Sequence, residues 1–135
     1  MPFYTPASST YETHRDVLIS SIESSVLGSY TLDADYVTAT TLADGKDYKI
    51  VFEGQVLAMN PANGQAVPNY TSYGFGELGV LYNAMNTDNE DPVATVILDG
   101  WVNEGVCTDN GVFGTVLAAT KTALTTVQFV DRTTL

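Results

Sequence analysis

Few side chains in this sequence carry a reactive group, and their spacing limits what they can do. The single histidine is His14 and the single cysteine is Cys107. A Ser-His-acid or Cys-His nucleophile would have to use His14, which lies in a Ser/Thr/Pro/Tyr-rich stretch near the start. Catalytic groups belong on rigid supports, so this is a poor placement. One cysteine forms no intrachain disulfide, and Cys107 reads as a small packing residue in a turn. Asp88-Asn89-Glu90-Asp91 crowds three acids together, but it lacks the spaced ligands and central Gly of a calcium loop. It reads as a solvated loop stopped by Pro92, and no Cys/His cluster exists for zinc. Gly74-Phe75-Gly76 is too short to cradle phosphate and lies outside any strand-to-helix setting. No pair of carboxylates is marked out for glycosidic chemistry. The expectation is a protein with no catalytic residues, no metal and no cofactor.

The aromatic residues suggest contact rather than reaction. Tyr70, Tyr73 and Phe75 occupy a loop whose glycines give little local cover, which points to an interface. Trp101 follows an apolar run and is expected to pack in the core.

Composition narrows the partners. The chain has 135 residues, 44% of them hydrophobic, enough for one domain with a real core. Charged residues make up 16%, with Thr, Ser, Asn and Gly filling the polar positions, a mix that favours strands and turns. The net charge of −11 repels phosphate backbones and anionic lipid, so neither nucleic acid nor membrane is an expected partner. It suits a soluble protein working at high local concentration. Met1-Pro2-Phe3-Tyr4-Thr5-Pro6 has no basic stretch before an apolar run, so no signal peptide is expected.

The elements that must position these residues are short. Residues 1–30 read as an N-terminal arm: Met1 to Thr13 has no period, yet it carries Phe3, Tyr4 and Tyr11. Val17, Leu18, Ile19 and Ile22 have partial helical spacing, and Val26-Leu27 begins an extended piece. Residues 31–135 read as a β-rich domain. Strands are expected at Tyr36 to Leu42, Lys49 to Phe52, Gln55 to Met59, Gly79 to Ala84, Val93 to Leu98 and Thr126 to Val130. Ala66-Val67-Pro68 is an edge piece because of its Pro. Val93 to Leu98 is almost wholly apolar, the mark of a central strand buried on both faces. Asp99-Gly100 is expected to turn, and Thr115 to Ala123 to form a short helix. The fold class is mainly β: a small barrel- or sandwich-like domain with at most one or two short helices and an extended arm.

One ordered pattern stands out. A Gly turn at Asp44-Gly45 precedes Gly54-Gln55-Val56-Leu57-Ala58. A second Gly turn, Asn63-Gly64, precedes Glu77-Leu78-Gly79-Val80-Leu81. An apolar strand ending in Gly and an x-V-N step follow, from Val93 to Asn103. This order resembles the lambda-like phage head decoration (capsid stabilising, or cement) proteins over roughly residues 36 to 130. The resemblance implies a homotrimer on local three-fold axes of an expanded viral head, bound to the major capsid protein and placed on the outer surface of the virion after synthesis in the host cytoplasm. It also implies an N-terminal arm that adds a strand to the coat protein. On that reading Phe3, Tyr4, Tyr11, Val17, Leu18, Ile19, Ile22, Val26 and Leu27 are the arm's gripping residues. A carbohydrate-binding or adhesion β-module, and another virion or tail component, remain open from the residues alone.

Overall fold

The computed structural model describes residues 17–69, 75–109 and 116–130. The chain is mainly β. In chain order the strands are β1 (Val26–Thr31), β2 (Thr40–Thr41), β3 (Asp47–Tyr48), β4 (Ile50–Val51), β5 (Val56–Met59), β6 (Ala66–Pro68), β7 (Gly76–Leu81), β8 (Met85–Asn86) and β9 (Val93–Asn103). The helix α1 (Ala118–Ala123) and strand β10 (Val127–Val130) complete it, with 3₁₀ turns at Ile22–Ser24, Ala34–Tyr36 and Glu104–Val106.

The main sheet runs β1-β9-β7-β5-β6, with β10 also on β9. All its pairs are antiparallel except β10 with β9. Leu32, just after β1, makes one parallel bridge to Ala66 of β6, so the sheet curls towards itself without closing into a barrel. Pairs β2–β3 and β4–β8 stand apart as small sheets.

Adjacent residues of the central strands point to opposite faces, and both faces are covered. Val56, Val80 and Ile97 enter one core cluster, with Val17, Val102, Cys107, Leu124 and Val127. Leu57, Leu81 and Val96 enter the other, with Leu32, Val37, Val51, Ala66 and Ala94. This double burial is why the apolar run through β9 does not alternate with polar residues.

Two motif glycines sit where no side chain fits. Gly54 has φ +91°, and a Cβ there would collide with the Val106 carbonyl oxygen. A Cβ on Gly79 would collide with the Ile97 carbonyl oxygen and lie 2.8 Å from Val96 Cγ1. Both are points of close backbone approach between elements.

The structure corrects several expectations. Residues 17–30 do not belong to an arm, because they line one edge of β9. Leu18 bridges Val102, the Asn103 N–H donates to the Val17 carbonyl, and β1 pairs from Val26↔Asp99 to Thr31↔Val93. Val17 is 2% exposed, and Leu18 and Leu27 pack on the same cluster. The apolar spacing there reflects burial within the domain. Tyr36 to Leu42 is not a core strand. Asp33 accepts from the Asp35 N–H and caps a 3₁₀ turn, and within the stretch only Thr40–Thr41 forms a strand, paired with β3.

Asp99-Gly100 does not turn. Both edges of β9 stay occupied to Asn103, by residues 17–19 on one side and by β10 on the other, so the strand runs through. Strand β7 begins at Gly76, ahead of the expected Gly79, because Gly76 and Glu77 pair with Met59 and Ala58. Phe3, Tyr4, Tyr11, Tyr70 and Tyr73 lie outside the described residues.

Candidate interaction surface

Trp101 is not in the core: it is 55% exposed. Burial alternates from Asp99 to Val102, so Asp99 and Trp101 share the face opposite Gly100 and Val102. The register sets Val26, 53% exposed, beside Asp99, and exposed Gln128 beside Trp101. A face of mixed character, with Trp101 and Val26 exposed beside Asp99 and Gln128, therefore lies across β1, β9 and β10 near the C-terminal end of β9. The sequence alone does not show it: the bulge in pairing between Val26 and Leu27 shifts the phase of β9, so residues after Asp99 alternate oppositely to those before it.

The backbone at Trp101 is held on both sides. Its N–H donates to Ser20 Oγ at 3.1 Å, and its carbonyl accepts from the Ile19 N–H at 2.8 Å. Ser20 Oγ bonds Ser25 Oγ at 2.7 Å, Ser25 Oγ donates to the Ser21 carbonyl at 2.8 Å, and Ser21 Oγ bonds Ser24 Oγ at 2.9 Å. The serine run that obscured any helix or strand reading is a hydrogen-bonded knot inserted between Ile19 and Val26. It holds the tryptophan on a fixed support.

Acids gather at the other end of β9. The Leu32 N–H donates to the Pro92 carbonyl, the Ala34 N–H to Asp91 Oδ1 at 3.0 Å, and the Lys49 N–H to Asp88 Oδ1 at 2.9 Å. These bonds bring the Asp88 to Asp91 loop against Ala34 and Lys49, whose Nζ donates to the Ala34 carbonyl. The carboxylates of Asp88 and Asp91 cap loop N–H groups. Among the described residues no group of His, Cys, Asp or Glu is arranged to hold a metal ion.

A buried carboxylate ties the C-terminal segment to the sheet. Asp109, 1% exposed, accepts from Asn69 Nδ2 at 2.9 Å and Thr120 Oγ1 at 3.1 Å on Oδ1, and from the Leu117 N–H at 2.8 Å on Oδ2. Gln55 Nε2 donates to the Asp109 carbonyl at 3.0 Å. Nothing in the sequence marks Asp109, since its partners come from three distant segments.

Cys107 is fully buried, more than a half-buried turn residue would be. Burial raises its thiol from 9.0 to about 12, with the charges of Glu104 and Asp109 adding to the shift. It stays protonated and donates to the Asn103 carbonyl at 3.2 Å, a structural role rather than a nucleophilic one. Asp44 is held below its usual range by the Tyr48 hydroxyl, which donates at 2.7 Å, and by the Lys46 N–H. It fixes the β2–β3 turn.

Of the sequence-predicted contact residues that are described, Phe75 packs edge-to-face on Tyr36 with ring centroids 5.8 Å apart. Val17, Leu18 and Leu27 serve the core, Ile19 supports Trp101 through its backbone, and the Ile22 backbone forms part of the serine knot's 3₁₀ turn. Val26 alone of that group joins Trp101 on the exposed face. No helix among the described residues is long and apolar enough to cross a membrane. No protein-family model, curated protein or solved structure matches the chain.

Proposed function

We propose that this chain is a capsid decoration protein, binding the outer surface of an expanded viral head as a trimer at local three-fold axes and stabilising it. The observation that carries the reading is the ordered glycine-and-strand pattern that resembles the lambda-like head decoration proteins. In this fold its three segments are sheet neighbours, β5, β7 and β9, and its glycines Gly54 and Gly79 are sterically required. This adjacency supports reading the three segments as one structural unit.

The binding segment on this reading is residues 1–16, joined to the domain at Val17. A chain segment that pairs with an exposed sheet edge gains main-chain hydrogen bonds, with alternate side chains setting specificity. One arm alone binds weakly because ordering it is costly, whereas three on one trimer bind with avidity. A trimer that needs several coat subunits in one arrangement stabilises only the shell presenting that arrangement. The acidic pole at the start of β9 lies at the opposite end of that strand from Val17. It would face solvent and keep particles dispersed.

The test is binding of the full chain and of a form lacking residues 1–16 to expanded heads. Loss of binding with the fold retained supports the arm. Saturation of heads by the truncated form overturns it, and a chain that trimerises neither alone nor on heads overturns the three-fold placement. The exposure of Trp101 favours a second reading, a carbohydrate-binding or adhesion module, since indole faces stack on sugars. A glycan array separates the two: a decoration protein with no adhesin role gives no signal.

A further inference from the structure

We propose that Asn63 is a self-modification site, at which the side-chain amide is lost to the Asn63–Gly64 backbone and the new carboxylate breaks the turn's tie to Asp33. The chemistry needs no partner and stands apart from the decoration reading. Asn63 and Gly64 are exposed in the turn between β5 and β6. Gly64 has φ +72°, and a Cβ there would meet nothing within 4 Å. With no side chain on Gly64, nothing screens its nitrogen from Asn63 Cγ. Bonding of that nitrogen to Cγ closes a cyclic imide while the Cγ–Nδ2 bond breaks, and ammonia leaves with the proton that Gly64 gives up. One water then opens the imide at either carbonyl, leaving aspartate or isoaspartate and one added negative charge.

The contacts of the turn bear on both the step and its consequence. Asn63 Oδ1 accepts from the Gln65 N–H at 3.0 Å, which folds the amide forward over Gly64 and steadies the negative charge its oxygen takes up during attack. The Gly64 N–H donates to the Asn60 carbonyl at 2.8 Å, and that bond must open first. It lies at an exposed turn, where local opening costs little. Asn63 Nδ2 donates to Asp33 Oδ2 at 3.2 Å and lies 3.5 Å from Gln65 Oε1. Conversion to aspartate sets an acceptor oxygen against that carboxylate, so a hydrogen bond becomes a like-charge contact. Asp33 is not free to swing away. It is 7% exposed, its Oδ1 accepts from the Asp35 N–H, and its own N–H donates to the Ala66 carbonyl at 2.9 Å. The repulsion therefore falls where Leu32 bridges Ala66 and the sheet curls towards itself.

The experiment has two arms. In the first, the folded full chain is held in mildly alkaline buffer at physiological temperature and sampled over days, beside the same chain in denaturant. Peptide mass mapping reads the conversion at each asparagine. The expected result is aspartate and isoaspartate at Asn63 in the folded chain, ahead of Asn60, Asn69, Asn83, Asn86, Asn89 and Asn103, none of which precedes a glycine. A folded chain that keeps Asn63 intact while the denatured chain converts it overturns the proposal. In the second arm, thermal melts compare the parent with Asn63→Asp, Asp33→Asn and the double variant Asp33→Asn/Asn63→Asp. Asn63→Asp should lower Tm by roughly 3–6 °C. The double variant restores one donor facing one carboxylate and should recover most of that loss, with the two single variants isolating the coupling of the pair. An Asn63→Asp protein that melts with the parent, or a double variant that recovers nothing, overturns the link to Asp33. Neither arm uses heads, so failure here and failure of the decoration reading are told apart.

Discussion

Replacing Asp109 tests whether the C-terminal segment around α1 is held to the sheet by one buried carboxylate. Asp109→Ala leaves Asn69 Nδ2, Thr120 Oγ1 and the Leu117 N–H without their shared acceptor in a dry site. Each orphaned donor costs about 1–3 kcal/mol, and bonds to a charged acceptor lie at the upper end. Some relief comes from Thr120 rotating and from the 3.4 Å approach of Asn69 Nδ2 to Thr120 Oγ1. A net loss of about 3–5 kcal/mol follows. For a domain of this size that lowers Tm by roughly 10–20 °C. Asp109→Asn keeps one oxygen for Asn69 and Thr120 but turns an NH₂ towards the Leu117 N–H, so about 1–3 kcal/mol is expected. Urea unfolding followed by circular dichroism gives both values. If both variants lie within about 0.5 kcal/mol of the parent, the network is not holding the segment and the reasoning fails.

Gly79→Ala should cost about 1–3 kcal/mol or more, because its Cβ meets the backbone of β9 and a flexible side chain cannot yield there; a neutral effect in thermal melts would contradict the close approach. Deleting residues 1–16 should leave Tm nearly unchanged. Deleting residues 1–25 should lower it sharply, because Val17, Leu18 and the serine knot are lost; equal melting of the two forms would show that residues 17–25 are dispensable. Cys107 should resist alkylation until the chain unfolds, as judged by mass after iodoacetamide treatment in native buffer and in denaturant. The thiol's raised value also fixes a pH dependence. The fold retains a proton that the unfolded chain releases, so this contribution is intact below pH 9.0 and is lost as pH rises towards about 12. Cys107→Ala should flatten that part of the alkaline loss relative to the parent; an identical alkaline profile would refute the assignment.

Local pattern reveals much of the β content and little of how the strands share edges. Short apolar runs bounded by glycine marked β5 and the central part of β9, and Pro68 marked β6 at the end of the sheet path. Val17 to Leu27 looked like an arm because its pairing partner, β9, lies some seventy residues away. Asp99-Gly100 looked like a turn because a Gly after an acid often is one; occupied edges on both sides override that preference. Trp101 was expected inside because it follows an apolar run. The bulge opposite Val26 and Leu27 shifted its phase, and a shift of one residue exchanges the faces of a strand. Asp109 was illegible because its partners Asn69, Leu117 and Thr120 are brought together only by the fold. The loop at Tyr70 to Phe75 was singled out for its aromatics, and Phe75 packs on Tyr36 within the domain.

The most direct measurement of the central claim is electron microscopy of heads assembled with and without this chain. The account predicts added density in sets of three around local three-fold axes, on the outer surface of expanded heads only. Heads that look the same with and without the chain, or density confined to a tail, would contradict it.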